Sequence, residues 1–153
     1  MTTHPQFTPV ERLESLKAAA LGGTCAGAVS LSFLTANHFI AQGTIASFIG
    51  LSLSLAQLTL LVSLAIAVLS GALFALTYRY AVRQDENPQL KVGVVLAFTL
   101  VRGLAQVDAG SAIAQNFWPF LRACGESFLI FGLGAIVLTL ATQRGWVAPF
   151  GNR

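Results

Sequence analysis

Residues 18–78 read AAALGGTCAGAVSLSFLTANHFIAQGTIASFIGLSLSLAQLTLLVSLAIAVLSGALFALTY, 61 consecutive residues without an Asp, Glu, Lys or Arg. A soluble domain gives every element a hydrated face, and about a quarter of its residues are charged. Here only 10% of the chain is charged and 55% is hydrophobic, a composition that excludes an ordinary water-soluble fold. A hydrocarbon core of ~30 Å takes ~20 apolar residues per helix, so the stretch accommodates two spans and a connection. The expected class is therefore an all-α integral membrane protein. The 153 residues form a single domain, and the bilayer is its first partner.

Outward from this stretch, charge and turn signals divide the chain into four spans, at about 18–40, 55–80, 90–107 and 121–142. Thr8, Pro9 and Glu11 suit the start of the first helix as cap, first position and dipole partner. The first span is too long for a typical signal-peptide core and has no clear Ala-x-Ala site after it, so it reads as a retained anchor. Residues 42–57 are uncharged and rich in Gly and Ser, which suits a segment lying in the interface or re-entering shallowly between the first two spans. Asp85-Glu86-Asn87-Pro88 forms a tight polar turn, with Pro88 suited to opening the third span. The aromatic run Phe117-Trp118-Pro119-Phe120 belongs at a headgroup boundary, as does Tyr78-Arg79-Tyr80.

One side of this arrangement receives Arg12, Lys17, Arg79, Arg83, Lys91, Arg144 and Arg153, and the other receives Arg122. The positive-inside rule then assigns both termini to the cytoplasm or its stromal equivalent, and an even number of spans closes the pattern. The formal net charge of +3 is thus an orientation signal and not a nucleic-acid patch. Cys25 and Cys124 fall at different depths, which argues against a disulfide between them.

Helix association in lipid relies on small residues and interhelical hydrogen bonds. Ala19, Gly23 and Gly27 recur every fourth residue on the first span, and Ser63, Ala67, Gly71 and Ala75 do so on the second. These faces suit packing within the chain or docking on another membrane subunit. A faint likeness between the runs from Gly71 to Arg79 and from Gly134 to Arg144 is compatible with a duplicated hairpin, although apolar segments resemble one another by composition alone.

Away from the span ends, Arg102 and Glu126 are the charged residues inside spans. Arg102 is about six residues before the end of the third span and Glu126 about five into the fourth, so the antiparallel helices bring them to similar depth. An intramembrane charge is costly and marks a functional candidate. The pair can be structural, can meet a partner subunit, or can line a proton or solute path. Glu126 is also four residues from Arg122, the spacing of a local helical pair, and Arg102 can snorkel to the nearby interface. His38, near the outer end of the first span, is a weak candidate axial ligand for a haem or chlorophyll. Cys-x-x-Cys, His-Glu-x-x-His, Gly-x-Ser-x-Gly and Walker-type patterns are absent from the sequence, so no catalytic or metal set emerges. In size and span number the chain is similar to small membrane enzymes acting on glutathione conjugates, without their paired Arg and Asn-x-x-Glu pattern. It is also similar to small four-span multidrug exporters, whose carboxylate sits deep in the first span, where this chain has none.

The segments Leu76-Thr77-Tyr78-Arg79-Tyr80-Ala81-Val82-Arg83, Asn87-Pro88-Gln89-Leu90-Lys91 and Leu100-Val101-Arg102-Gly103-Leu104-Ala105-Gln106 resemble a family of small four-helix membrane proteins of cyanobacteria and chloroplasts. The resemblance covers roughly residues 76–108. It implies an oxygenic photosynthetic setting and a thylakoid or neighbouring membrane, and it carries over no catalytic residue. Contact with chlorophyll or carotenoid has no motif behind it. The leading expectation is a non-enzymatic accessory or assembly subunit that docks on a larger, photosynthetic complex through its small-residue faces and the basic hairpin from Arg79 to Lys91. The alternative is a small oligomeric transporter or channel using Arg102 and Glu126.

Overall fold

The computed structural model describes residues 9–42, 55–82, 87–106 and 117–150, without the side chains of 38–42 and 55–57. Among the described residues there are four helices: α1 (Pro9–Gln42), α2 (Leu55–Val82), α3 (Pro88–Ala105) and α4 (Trp118–Gln143). All four are long and apolar enough to cross a membrane. The expected interfacial segment, 42–57, lies almost wholly outside the described residues. So do Arg83 and the acidic half of the second turn.

The helix boundaries follow local chemistry. Asn87 sits in extended conformation before α3 and its side-chain oxygen accepts from the Gln89 backbone N–H at 3.0 Å, with Pro88 in the first turn. α3 stops at Ala105, and Gln106 turns its N–H back onto Arg102 and Gly103. α4 opens earlier than the expected Leu121, because Pro119 is accepted in a first turn that takes in three of the four residues of the aromatic run. Its end is a Schellman turn. The Trp146 N–H reaches the Ala141 carbonyl at 2.9 Å and the Gly145 N–H reaches Thr142 at 3.1 Å, which requires Gly145 at φ 72°.

The bundle is two hairpins packed together, α1 with α2 and α3 with α4, joined mainly by α1 against α4. The first hairpin is closed by small residues. A Cβ added to Gly22 would lie 2.6 Å from the Gly71 carbonyl oxygen, and one added to Gly71 would lie 2.6 Å from that of Gly22. Gly23 and Gly27 meet Val68 beside this contact. The buried face of α1 comprises Ser15, Ala18, Gly22, Ala26 and Ser30 together with the expected Gly23 and Gly27, while Ala19 is only half-buried. The α2 stripe is as expected at Ala67, Gly71 and Ala75, all buried, whereas Ser63 is only half-buried. α3 and α4 are equally close at Gly103, where a Cβ would come 3.1 Å from the Cys124 Cα. Cys25 and Cys124 are both free thiols.

The second half of the core is aromatic. Phe74 of α2 is buried against Phe98 of α3 and Phe131 of α4, with ring centroids 5.4 and 5.1 Å away, and Phe98 meets Phe131 at 5.5 Å. Such tilted and edge contacts add ~0.5–1.5 kcal/mol per pair beyond area burial. Tyr78 extends the cluster and bonds Thr139 of α4 across 3.2 Å. Outside this core, Leu61, Ile66, Leu69, Leu73, Val101 and Ile136 are exposed. An apolar exterior around a core of small and aromatic residues is the expected section of a membrane bundle, where lipid covers the outward side chains.

Filling the closest approach tests this packing. Gly71→Leu is expected to drive the α1–α2 hairpin apart and to cost at least the ~1–3 kcal/mol typical of overpacking, read as a lower unfolding temperature in mild detergent. Gly132→Ala, at a site with nothing within 4 Å of the added carbon, is expected to leave that temperature unchanged.

Candidate functional site

The charged groups collect at two places. The first is the end of the bundle where α1 begins and α2 and α4 finish. Arg79 is buried there, only 7% exposed. Its Nε donates to the Ala148 carbonyl at 3.0 Å, and its Nη1 donates to Ser15 Oγ at 2.7 Å, with a longer contact to the Glu11 carbonyl at 3.5 Å. The guanidinium carbon lies 5.7 Å from the Tyr80 ring centroid and 5.8 Å from that of Phe150, and these two rings meet edge-on at 4.8 Å. Ser15 Oγ is also 2.7 Å from the Tyr80 hydroxyl.

Glu14 completes the arrangement. One carboxylate oxygen accepts from the Ala148 N–H at 2.9 Å, and the other pairs with Lys17 at 2.7 Å. The two backbone polar groups of Ala148 are therefore both held, its N–H by an anion and its C=O by a cation. Val147 next to it is buried in the core. Together these contacts fold the segment after α4 back over the mouth of the first hairpin. Arg79, expected from sequence to face headgroups or a partner, spends its donors inside the chain. Lys91 is half-exposed on the first turn of α3, and Arg83 lies outside the described residues.

Farther along the bundle is the second place. Arg102 is only 9% exposed, roughly 21 Å along α3 from Pro88, while Glu126 is roughly 26 Å along α4 from Gln143 at 1.5 Å per residue. Both line one cavity of about 400 Å³, together with Ser30 and Leu34 of α1 and Ser63 and Ile66 of α2. Its wall ends at exposed Ala105 and Gln106. All four helices contribute to it. The depth match expected from helix counting is thus present, but among the described residues no ion pair within 4.0 Å joins the two charges. Arg102 Nη1 donates to Ser70 Oγ at 3.3 Å, whereas its Nε is buried with no acceptor among the described residues. Thr99 Oγ1, one turn earlier on α3, and Ser127 Oγ, next to Glu126, are also buried without a partner. Each such group forfeits ~1–3 kcal/mol, and more when charged.

Arg122 does not form the local pair with Glu126 that its spacing allows. Its Nη2 reaches across to the Asn37 side-chain oxygen on α1, tying the C-terminal part of α1 to the start of α4 and leaving Glu126 to the cavity. The His38 side chain lies outside the described residues. Among the described residues no group of three His, Cys, Asp or Glu is placed to hold a metal ion. Compared with family models, curated proteins and solved structures, the chain matches none.

Sequence reasoning missed the clamp on Ala148 entirely. The signal for it was faint: a Glu early in the first helix and, at the other end of the chain, a Phe five residues after Gly145. Removing the cation should release the clamped segment. Arg79→Ala forfeits two charge-assisted hydrogen bonds of ~1.5–3 kcal/mol each and is expected to speed tryptic cleavage after Arg144 at least tenfold in intact detergent-solubilised protein. Arg79→Lys should fall between, since one ammonium cannot reproduce the planar fork.

Proposed function

We propose that this chain is a small, non-enzymatic membrane protein that binds and passes a small polar solute, working through the cavity between Arg102 and Glu126. The observation that carries the reading is that two opposite intramembrane charges from different helices line one cavity without neutralising each other directly. A bilayer protein keeps such charges at a cost, and their usual use is a substrate or ion path. The small-residue stripes of α1 and α2 are consumed by each other, and Arg79 is consumed by the Ala148 clamp. Both features therefore lend less support to external docking than they do in the sequence alone.

Its orientation in this reading has the clamped, basic end in the cytoplasm or stromal equivalent, on the Lys and Arg asymmetry. The cavity then belongs to the opposite half of the bilayer. The resemblance over residues 76–108 favours a thylakoid or neighbouring membrane as its location.

A second reading retains one specific support. Gly125 and Gly132 on α4 each have open space where a side chain would stand, a face that lets another helix approach closely. On this reading the chain is an accessory or assembly subunit of a larger, photosynthetic membrane complex.

Proteoliposomes loaded with a panel of radiolabelled anionic, cationic and zwitterionic small solutes separate the two. The expected result is protein-dependent efflux of at least one solute, lowered tenfold or more by Glu126→Gln and by Arg102→Gln. Flux that is absent or indifferent to both substitutions would remove the transport reading. Migration with a large complex on a native gel after mild solubilisation would then support the second.

A further inference from the structure

We infer that the Arg102–Glu126 cavity recognises a zwitterion, with a carboxylate or phosphate group against Arg102 and an ammonium against Glu126. The inference deepens the proposed function and rests on the cavity being the working part of the protein. Three observations carry it. The first is Arg102 itself: a guanidinium recognises carboxylate or phosphate through parallel N–H donors, and among the described residues the one side-chain acceptor it meets is the Ser70 hydroxyl, at Nη1, with no carboxylate within 4.0 Å. The second is the charge balance. Glu126 lines the same cavity, so a purely anionic guest meets repulsion as well as attraction, and a cationic guest meets the reverse. A guest carrying both signs satisfies both walls and leaves the membrane interior neutral. The third is that the two side chains are not joined within 4.0 Å among the described residues, although both border the same space.

The volume and lining set the size of the guest. About 400 Å³ falls in the ~300–1,000 Å³ range of small-molecule sites. Ser30 and Ser63 offer hydroxyls, while Leu34 and Ile66 offer apolar wall. Two sources share this chemistry: the headgroup of a zwitterionic lipid entering from the bilayer, and a free zwitterion of the amino-acid or phosphodiester type entering from water.

The test is a binding titration of the full chain in maltoside, followed by native mass spectrometry. The probes are dihexanoyl-phosphatidylethanolamine, dihexanoyl-phosphatidylglycerol and free glycerophosphoethanolamine. We expect the ethanolamine lipid to bind at least tenfold more tightly than the glycerol lipid. Arg102→Gln should abolish binding of both, Arg102→Lys should weaken it, and Glu126→Gln should erase the preference between them. Glycerophosphoethanolamine binding as tightly as its lipid assigns the free source, and its failure to bind assigns the lipid source; both are compatible with zwitterion recognition. Equal or tighter binding of the glycerol lipid to the native chain, still lost in Arg102→Gln, would overturn the zwitterion while leaving the cavity as a binding site. Should no probe bind while Arg102→Gln and Glu126→Gln merely lower the unfolding temperature, the two charges serve one another and both readings fall. If Arg102→Gln does not fold, the change of preference in Glu126→Gln decides alone.

Discussion

At Gly22 and Gly71 two helix backbones come so close that neither tolerates a side chain, and the rest of the bundle is arranged around that contact. In lipid no hydrophobic effect draws helices together, so the attraction must come from packing and hydrogen bonds at short range. Close approach along α1 and α2 provides it. Once the first hairpin is set, the adjoining face of α2 presents Phe74, three residues on from Gly71, and the second hairpin closes on this ring through Phe98 and Phe131. One interface is made of residues with almost no side chain and the other of the largest apolar ones. The two arrangements suit successive neighbours around a single helix.

Two arginines show opposite outcomes of the same constraint. A guanidinium in a medium without water must find acceptors within the protein. Arg79 finds them: a carbonyl, a hydroxyl and two ring faces surround it, and the chain bends back after Gly145 to bring Ala148 and Phe150 into place. Arg102 has one hydroxyl at 3.3 Å and an idle Nε. A residue whose burial is satisfied stabilises the fold it sits in. One whose burial is unsatisfied costs stability that a guest can return, and this difference separates the structural arginine from the candidate site.

Much of the fold was legible because lipid imposes a simple code. The absence of charge from 18 to 78, the Asn87-Pro88 start and the basic flanks are consequences of bilayer thickness and backbone chemistry, and they needed no tertiary knowledge. The shared depth of Arg102 and Glu126 followed from counting rises along antiparallel helices. Rotation about the helix axis was not legible to the same degree. Gly22 and Gly23 are adjacent and equally small, so the sequence pointed to the Ala19–Gly23–Gly27 line, of which Gly23 and Gly27 are buried, but the closest approach falls beside it at Gly22 on the Ala18–Gly22–Ala26 line. Arg79 was misplaced for a related reason. Beside two tyrosines at a helix end it has the composition of a headgroup anchor, and only the return of a segment 69 residues later makes it internal. Arg122 illustrates the same limit, because Glu126 and Asn37 compete for it and helical spacing speaks only for Glu126.

The partition of polar residues also bears on why a cavity exists between α3, α4 and the first hairpin. α3 and α4 are drawn together at Gly103 and Cys124, close to the level of Arg102, and the second hairpin joins the first chiefly through α1 against α4. The contact between α2 and α3 is lighter, with the aromatic cluster at Phe74 and Phe98 holding the part nearer the clamped end. Toward the other end α3 stops at Ala105 while α2 and α4 continue, and among the described residues no large side chain fills the space beside Arg102 and Glu126. With Arg122 turned away to Asn37, the anion and the cation lining it are balanced one against one. Such a space is poorly matched to an acyl chain, which would strand both charges, and poorly matched to a simple ion, which would satisfy only one of them.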